Sequence, residues 1–475
     1  MREAAGEERI LERLCGELLS ASDLKAIGRA RGFPVVGGPR EKLAEAVSAR
    51  FLDPLGLAEA MGSLGGPALA ALHLVAAAEE PLPLGALHPV FDAEGDPYEI
   101  DYRTLWRRVS ADLLAKGVLL ADDEEYQWSS RERSRFARFR LLLPEGFRPF
   151  LPPFPVPTEP CQGKGEGGSS REFLAGALAA FAALGTPKEA AKKGAERGPL
   201  PARVARAFRI EDGVLGLRGF EGSNPVRLLR WLTACWGEGL PQRDELAHAP
   251  PAGRVARHAL GHLPPGRGCT PQALSQALAS VGLRVKPSTV SSFCEEGTMA
   301  GLVRRYPRGA GEALYRLEEA VEPPHAEEAH LVVRPERGGV RVDGRASDLL
   351  LVLDASRASR AQVVDGALLL EPDVVRMGRA WGEIGKSAAM ATLRAASRAF
   401  EEAAGTLEGR RGQVTVHRGL TVLRVDDVGL RAAVRSRFAG SVREVAGEYL
   451  AVLRASAEDV LAFARKEGFV ARRVP

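Results

Sequence analysis

The apolar positions of this chain recur mostly at helical spacing. Near the N-terminus, Leu24 and Ile27 share one face of a segment that Ser22 can cap. Gly32 fits its C-terminal end, and Phe33 follows the turn. Gly37, Gly38 and Pro39 make a tight turn. From Arg40 a second helix then places Leu43, Val47 and Phe51 on one face. The pattern predicts a helix–turn–helix pair. Apolar helices are also predicted around 67–78 and 84–91. A third, after Asp101, carries Tyr102, Leu105, Trp106, Val109 and Leu113 on one face, which makes Trp106 a core residue. Strands are predicted at 117–120 and at YQWSS, bracketing the acidic turn ADDEE.

The middle of the chain predicts an Ala-rich helix over 172–184, a turn segment IEDGVLGLRGF, and a helix NPVRLLRWLTACW. Val226, Leu229, Trp231, Leu232 and Trp236 are its expected core. Thr270 then caps a helix with Pro271 at its first position, where proline is tolerated. Leu274, Ala277, Leu278 and Val281 form the buried stripe of that helix. After GLRVKP, a helix opens at Ser288 and Thr289, followed by strand LVRRY, a Pro-Arg-Gly turn and strand ALYRL. This run resembles the last helix and wing of bacterial winged-helix regulators.

The last third mixes periods. HLVVRPERGGVRVDG reads as a hairpin, and SDLLLVLDASRA, PDVVRMGRAWG and SAAMATLRAASRAFEEAAG as helices. QVTVHRGLTVLRVDD reads as a hairpin through Arg418 and Gly419. A helix VGLRAAVRSRF, a strand EYLAVLR, a helix capped by Ser456 and a strand FVARRV follow. Pro- and Gly-rich stretches at 149–170, 186–201 and 321–328 read as linkers. The expected fold class is therefore multi-domain and mainly α with winged-helix modules, plus a C-terminal small α+β domain. The expected divisions are a helical hairpin at 1–52, a winged-helix-like domain at 53–150 and a linker at 151–170. A helical domain at 171–250, a second winged-helix-like domain at 251–320, a linker at 321–328 and the α+β domain at 329–475 complete them.

Charge changes this picture only locally. The 475 residues carry 65 Lys and Arg against 61 Asp and Glu, a net +4, which excludes a uniformly basic coat. Five dispersed cysteines, Cys15, Cys161, Cys235, Cys269 and Cys294, form no CxxC pair, which points to a reducing compartment. No signal peptide or membrane-spanning run is evident, so a cytoplasmic or nucleoid-associated location without a membrane partner is expected.

Basic residues cluster in three places. The first set, Lys25, Arg29, Arg31, Arg40 and Lys42, flanks the N-terminal turn. With its DLK helix, GFPVVGG turn and REKL start, this stretch resembles the SAP module, a small DNA-binding helical hairpin. The second set is Arg103, Arg107 and Arg108, then Arg131, Arg133, Arg135, Arg138 and Arg140 in RERSRFARFR, opposed within that run by Glu132 alone. The third is Lys286, Ser288, Thr289, Ser291 and Ser292 at the start of the predicted recognition helix, with Arg304, Arg305 and Arg308 on the wing. Such residues contact phosphates and groove edges in DNA-binding folds. They equally suit solvated helix faces and protein-docking surfaces.

The order of the pieces resembles bacterial helicase-associated proteins bearing an XPB-type helicase N-terminal domain. HLVVRPERGGVRV, GALLLEPDVVRMGRAWG, RGLTVLRVDDVGLRAAV and YLAVLRASAEDVLAFARKEGFVARR carry the likeness. RVARHALGHLPPGRGCTPQALSQAL and the SAP-like hairpin fit upstream. VVRPERGG lacks the family's usual apolar-polar run, and the middle block matches poorly. The resemblance implies DNA-linked work beside an XPB-like helicase in repair or transcription. It does not imply catalysis by this chain, and no catalytic residue or cofactor is expected. The alternative is a scaffold that binds a helicase or another protein without touching DNA. A motor needs GxxxxGK[ST]; here Gly385-Lys386-Ser387 follows Ala380 in place of the first glycine. His258 and His262, four residues apart with Cys269 and Cys294 beyond, lack the second tight ligand pair of a zinc site.

Overall fold

A computed structural model describes residues 2–34, 38–78, 80–92, 100–123, 135–184, 199–221, 224–240, 249–309, 312–317, 329–410, 420–453 and 456–469. The chain is mainly α with small β elements. It forms two compact units, Met1–Ala404 and Gly405–Pro475.

In the first unit, helices Ala21–Arg31 and Arg40–Phe51 make the N-terminal hairpin. Leu24, Ile27, Phe33, Leu43, Val47 and Phe51 are all buried. The cap is Ser20 rather than Ser22. Ser20 Oγ accepts from Asp23 N at 3.2 Å, and the Asp23 carboxylate accepts from Ser20 N at 2.9 Å. This reciprocal box needs an acid three residues after the cap, and Ser22 would have Lys25 there. Gly32, at φ 68°, closes the helix in the left-handed conformation that glycine adopts freely.

The helix Gly66–Ala77 is buried along almost its whole length. The segment expected as one helix at 84–91 divides into a 3-10 turn, Leu84–Leu87, and a short helix, His88–Phe91. Pro89 sits in the first turn of the latter and has no N–H to continue the preceding turn. Three strands pair antiparallel in the order Leu82–Pro83, Phe139–Leu142, Leu120–Asp123. The partner of the strand at 120 is thus the end of the arginine-rich run, whose Phe139 and Leu141 point into the core. YQWSS lies outside the described residues. Trp106, expected in the interior, is half-buried, stacked on Phe139 with ring centroids 4.1 Å apart.

Helix Pro225–Gly237 is capped by Asn224 Oδ1, which accepts from Val226 N at 2.8 Å. It buries Leu228, Trp231, Leu232 and Trp236, whereas Val226 in the first turn is 44% exposed and lies off that face. Trp236 stacks on Phe293 at 4.3 Å and donates Nε1–H to the Phe293 carbonyl at 2.8 Å. IEDGVLGLRGF is a hairpin, Phe208–Glu211 with Val214–Leu217, turning on Asp212 and Gly213 at φ 49° and 74°. Positive φ at both central residues matches a tight two-residue hairpin turn.

Residues 252–317 run as helix Ala252–Gly261, short strand Arg267–Gly268, helix Pro271–Ser280, helix Pro287–Met299 and the hairpin Val303–Arg308 with Glu312–Leu317. Thr270 Oγ1 accepts from Ala273 N at 3.1 Å, and Leu274, Ala277, Leu278 and Val281 are buried as expected. The Pro- and Gly-rich stretch 151–170 is a strap along these elements. Glu159–Pro160 pairs with Arg267–Gly268, and Glu166 bridges to Arg305. Gly168 passes so close that a Cβ there would lie 2.2 Å from the Met299 carbonyl oxygen.

Residues 329–404 contribute a four-stranded sheet in the order Val333–Glu336, Gly339–Val342, Ala367–Pro372, Ser359–Val364. It is tied to the 208–217 hairpin. Leu215 N donates to Ser356 Oγ at 2.6 Å and Ala361 N to the Gly213 carbonyl at 2.6 Å. These bonds place the sheet in the first unit, and the unit boundary falls inside helix Arg398–Arg410. Residues 321–328 lie outside the described residues.

The second unit has three strands in the order Leu420–Arg424, Tyr449–Leu453, Val442–Ala446, with helices Val428–Arg437 and Ala457–Lys466. Leu430, Val434, Val442, Leu450, Val452, Ala457 and Val460 form its core. The strand at 420 pairs with Tyr449–Leu453; Arg418, Gly419 and the arm before them lie outside the described residues, as do the last residues of FVARRV. Val442–Ala446 is a strand that periodicity did not reveal. Ser456 stands at the cap position, but its side chain makes no capping bond.

Candidate nucleic-acid interface

The structure sorts the basic candidates by what their side chains already touch. Arg31 is fully buried. It donates to the carbonyls of Leu55 (3.0 Å), Gly117 (2.7 Å) and Asp53, and packs against the rings of Phe33, Phe51 and Phe147. Burial lowers its pKa to about 10, with Asp53 opposing the shift. Arg31 therefore cannot meet a phosphate and joins the hairpin to the segment at 117. Arg40 donates Nε–H and Nη2–H to the Leu19 carbonyl at 3.1 and 2.8 Å, and also bonds the carbonyls of Gly16 and Cys15. A cation there satisfies helix-terminal carbonyls that have no partner within the helix.

Lys25, Arg29 and Lys42 are exposed. Arg29 makes one bond, to the Lys25 carbonyl at 3.4 Å. Arg50, which the sequence did not single out, is exposed at the end of the second hairpin helix. None of these four makes an ion pair among the described residues. Arg103 and Arg107 are likewise exposed and unpaired there, while Arg108 donates to the Phe91 carbonyl. Arg108 borders an open cavity of about 390 Å³ with Ser63, Lys116 and Asp112, so a carboxylate shares that wall with two cations.

Of the dense arginine run, Arg131 and Arg133 lie outside the described residues, as does the side chain of Arg135. Arg138 and Arg140 are half-buried, and Arg140 stands opposite Asp122 across the sheet.

At the third cluster the wing is electrically occupied. Arg305 pairs with Glu166 at 2.5 Å and Glu295 at 3.4 Å. The Glu166 contact raises its pKa. Arg308 pairs with Glu159 at 3.1 Å and Glu312 at 3.2 Å. Arg304 is half-buried against Gly167. The strap supplies Glu159 and Glu166, which are remote in sequence, so local charge counting did not foresee these pairs. At the N-terminus of helix Pro287–Met299, Lys286, Ser288 and Ser292 are exposed, and Thr289 and Ser291 are half-buried. No side chain caps this end. Arg284, overlooked in the sequence, is exposed beside Lys286.

Compared with known protein families and with curated proteins, the sequence matches no family model and no curated protein.

Charge is also divided unevenly between the units. Gly405–Pro475 holds thirteen Lys or Arg against eight Asp or Glu, whereas the preceding residues hold 52 against 53. The whole net positive charge thus belongs to the second unit, a signal that a count over its 71 residues would have exposed.

The Gly385-Lys386-Ser387 triplet is a turn between helices Val374–Ile384 and Ala388–Ala396. Ser387 Oγ accepts from Met390 N at 3.2 Å as the second helix's cap. A phosphate-cradling loop instead follows a strand. Among the described residues no three His, Cys, Asp or Glu side chains are placed to hold a metal ion, and no helix is long and apolar enough to cross a membrane.

Proposed function

We propose that the protein is a non-catalytic nucleic-acid-binding accessory, acting in DNA repair or transcription beside a helicase of the XPB type. The observation that carries this reading is the set of exposed, unpaired cations on the N-terminal hairpin: Lys25, Arg29 and Lys42, joined by Arg50. Unpaired surface cations release phosphate counterions when they dock, whereas paired ones must first break an existing contact. The SAP-like pattern of the hairpin agrees with this use. Arg103 and Arg107 on helix Tyr102–Asp112 extend the same chemistry.

The test is binding of duplex DNA by fluorescence anisotropy across a salt series. Combined Lys25→Glu, Arg29→Glu and Lys42→Glu substitution weakens binding to every sequence and flattens the log K against log salt slope by about 0.9 per lost contact. Arg305→Glu with Arg308→Glu leaves the slope unchanged. Salt-independent binding, or no binding at low salt, overturns the reading.

A second reading applies to residues 252–317. Their helix, strand, helix, helix, hairpin order supports a winged-helix reading, but Glu159, Glu166, Glu295 and Glu312 neutralise two of the arginines on the final hairpin. This favours a protein-docking winged helix there. Recovery of a helicase from nuclease-treated lysate, with no shift of any DNA probe, would select the scaffold reading for the whole chain.

A further inference from the structure

Three histidines meet where helix Gly66–Ala77 packs on helix Ala252–Gly261. His73 is fully buried, and its Nδ1 lies 3.0 Å from His258 Nε2. His262 stacks one turn along from His258, with ring centroids 4.0 Å apart. His262 Nδ1–H donates to the His258 carbonyl at 2.9 Å. Phe154 from the strap covers the group, 4.9 Å from the His73 ring, and its N–H donates to the His262 carbonyl at 2.9 Å. His73 Nε2 is buried near the Pro152 and Pro153 carbonyls; these favour the protonated ring, against the larger effect of burial, but neither forms a well-aligned hydrogen bond with it.

We propose that His73, His258 and His262 form a proton-sensitive latch, which holds these two helices together while all three imidazoles are neutral and releases them on protonation. The inference stands apart from the nucleic-acid reading.

The geometry admits one proton between His73 Nδ1 and His258 Nε2. A second would set N–H against N–H at the same separation. The facing charges offer no relief. Arg148, whose guanidinium donates to the Ala76 carbonyl at 2.9 Å, opposes charge on His258 and His262, and Arg257 opposes it on His258. Glu145 pairs with Arg148 at 2.7 Å. His73 is the sole ionisable residue of its helix, and helix Pro271–Ser280 has none. Strand Glu312–Leu317 brings Glu312, Tyr315 and Arg316, and helix Pro225–Gly237 brings Arg227, Arg230 and Cys235. Helix His88–Phe91 brings His88, strand Phe139–Leu142 brings Arg140, and helix Ala252–Gly261 carries Arg254 besides Arg257. None of these groups from outside helix Ala252–Gly261 acts on His73 or His262, nor does Arg254.

Burial thus holds all three imidazoles below the usual histidine range, His73 to about 3. Because the closed-state values are depressed, the latch is fully closed above the ordinary value of about 6.5. It weakens as pH falls below that, because the open state then binds more protons. Each proton taken up only on opening multiplies the opening constant by about ten per pH unit.

The experiment is hydrogen exchange by mass spectrometry on the full chain from pH 7.5 to 4.5, corrected for intrinsic rates. The opening constant of both helices is expected to rise about 100-fold or more per pH unit below pH 6. The helix Val428–Arg437 serves as the comparison and is expected to show a shallower rise. In a parallel histidine-selective NMR titration, these three of the eight histidines remain neutral while the fold persists. His73→Phe, which removes one proton site, lowers the steepness by about tenfold per pH unit. A rise no steeper than that of Val428–Arg437, or titration of any of the three near pH 6.5 in the folded protein, overturns the proposal. Both readouts use the unmodified chain, so they decide even if the variant fails to fold.

Discussion

Arg29 and Arg31 stand two residues apart on one helix and do opposite work. Arg29 faces water, whereas Arg31 is buried under three aromatic rings and bonded to carbonyls from 22 to 86 residues away. Truncating a buried cation leaves those carbonyls unpaired and a cavity beside Phe51 and Phe147. Arg31→Ala is therefore expected to cost about 3–5 kcal/mol of stability by urea denaturation, while Arg29→Ala changes it by under about 0.5 kcal/mol. A second buried pair makes the same point. Glu296 accepts from Leu200 N at 3.1 Å and lies 3.7 Å from the Arg203 guanidinium. Burial raises the Glu296 pKa, and Arg203 and the Leu200 N–H hold it back. Arg203→Met is expected to push that carboxyl further up, seen as a higher protonation midpoint in a carboxylate-resolved NMR titration.

Elements were predictable where a local rule was sufficient. Thr270 before Pro271 is a cap announced by the local sequence, and it accepts the expected backbone N–H bond; Asp101 before Tyr102 and Asp348 before Leu349, not singled out as caps from the sequence, accept backbone N–H bonds in the same way. Thr270→Ala is expected to lose about 1 kcal/mol, read as a lowered denaturation midpoint of the first unit. Prediction failed where two local rules competed or where a distant partner decided. Ser20 outcompeted Ser22 because only Ser20 has Asp23 at the reciprocal position. Val226 is at helical spacing from Leu229 but stands five and six residues before Trp231 and Leu232, so it falls in the first turn, outside the packed face. The pairing of the strand at 420 with Tyr449–Leu453 was likewise not legible locally, because it joins residues far apart in sequence around the shared core of Leu450, Val452 and Val434.

At the scale of the molecule, each unit has its own apolar core, and unfolding is expected in two steps. Val434 is fully buried in the second unit. Val434→Ala removes two buried methyl groups, and about 2 kcal/mol is expected to be lost by that unit alone. Exchange protection should fall across Val428–Arg437 and Tyr449–Leu453 while helix Pro271–Ser280 keeps its own. Equal loss in both units would show that they unfold together. The sequence by itself determined the mainly helical character, most helix starts, the buried stripes and the departure of Gly385-Lys386-Ser387 from a phosphate-cradling motif, because each depends on residues within a turn or two of one another. Only the tertiary structure decided which arginines face water, which carboxylates occupy the wing, where the strap lies and that His73 meets His258, 185 residues away. Those outcomes depend on burial and on partners from distant segments, and spacing along the chain carries no information about either.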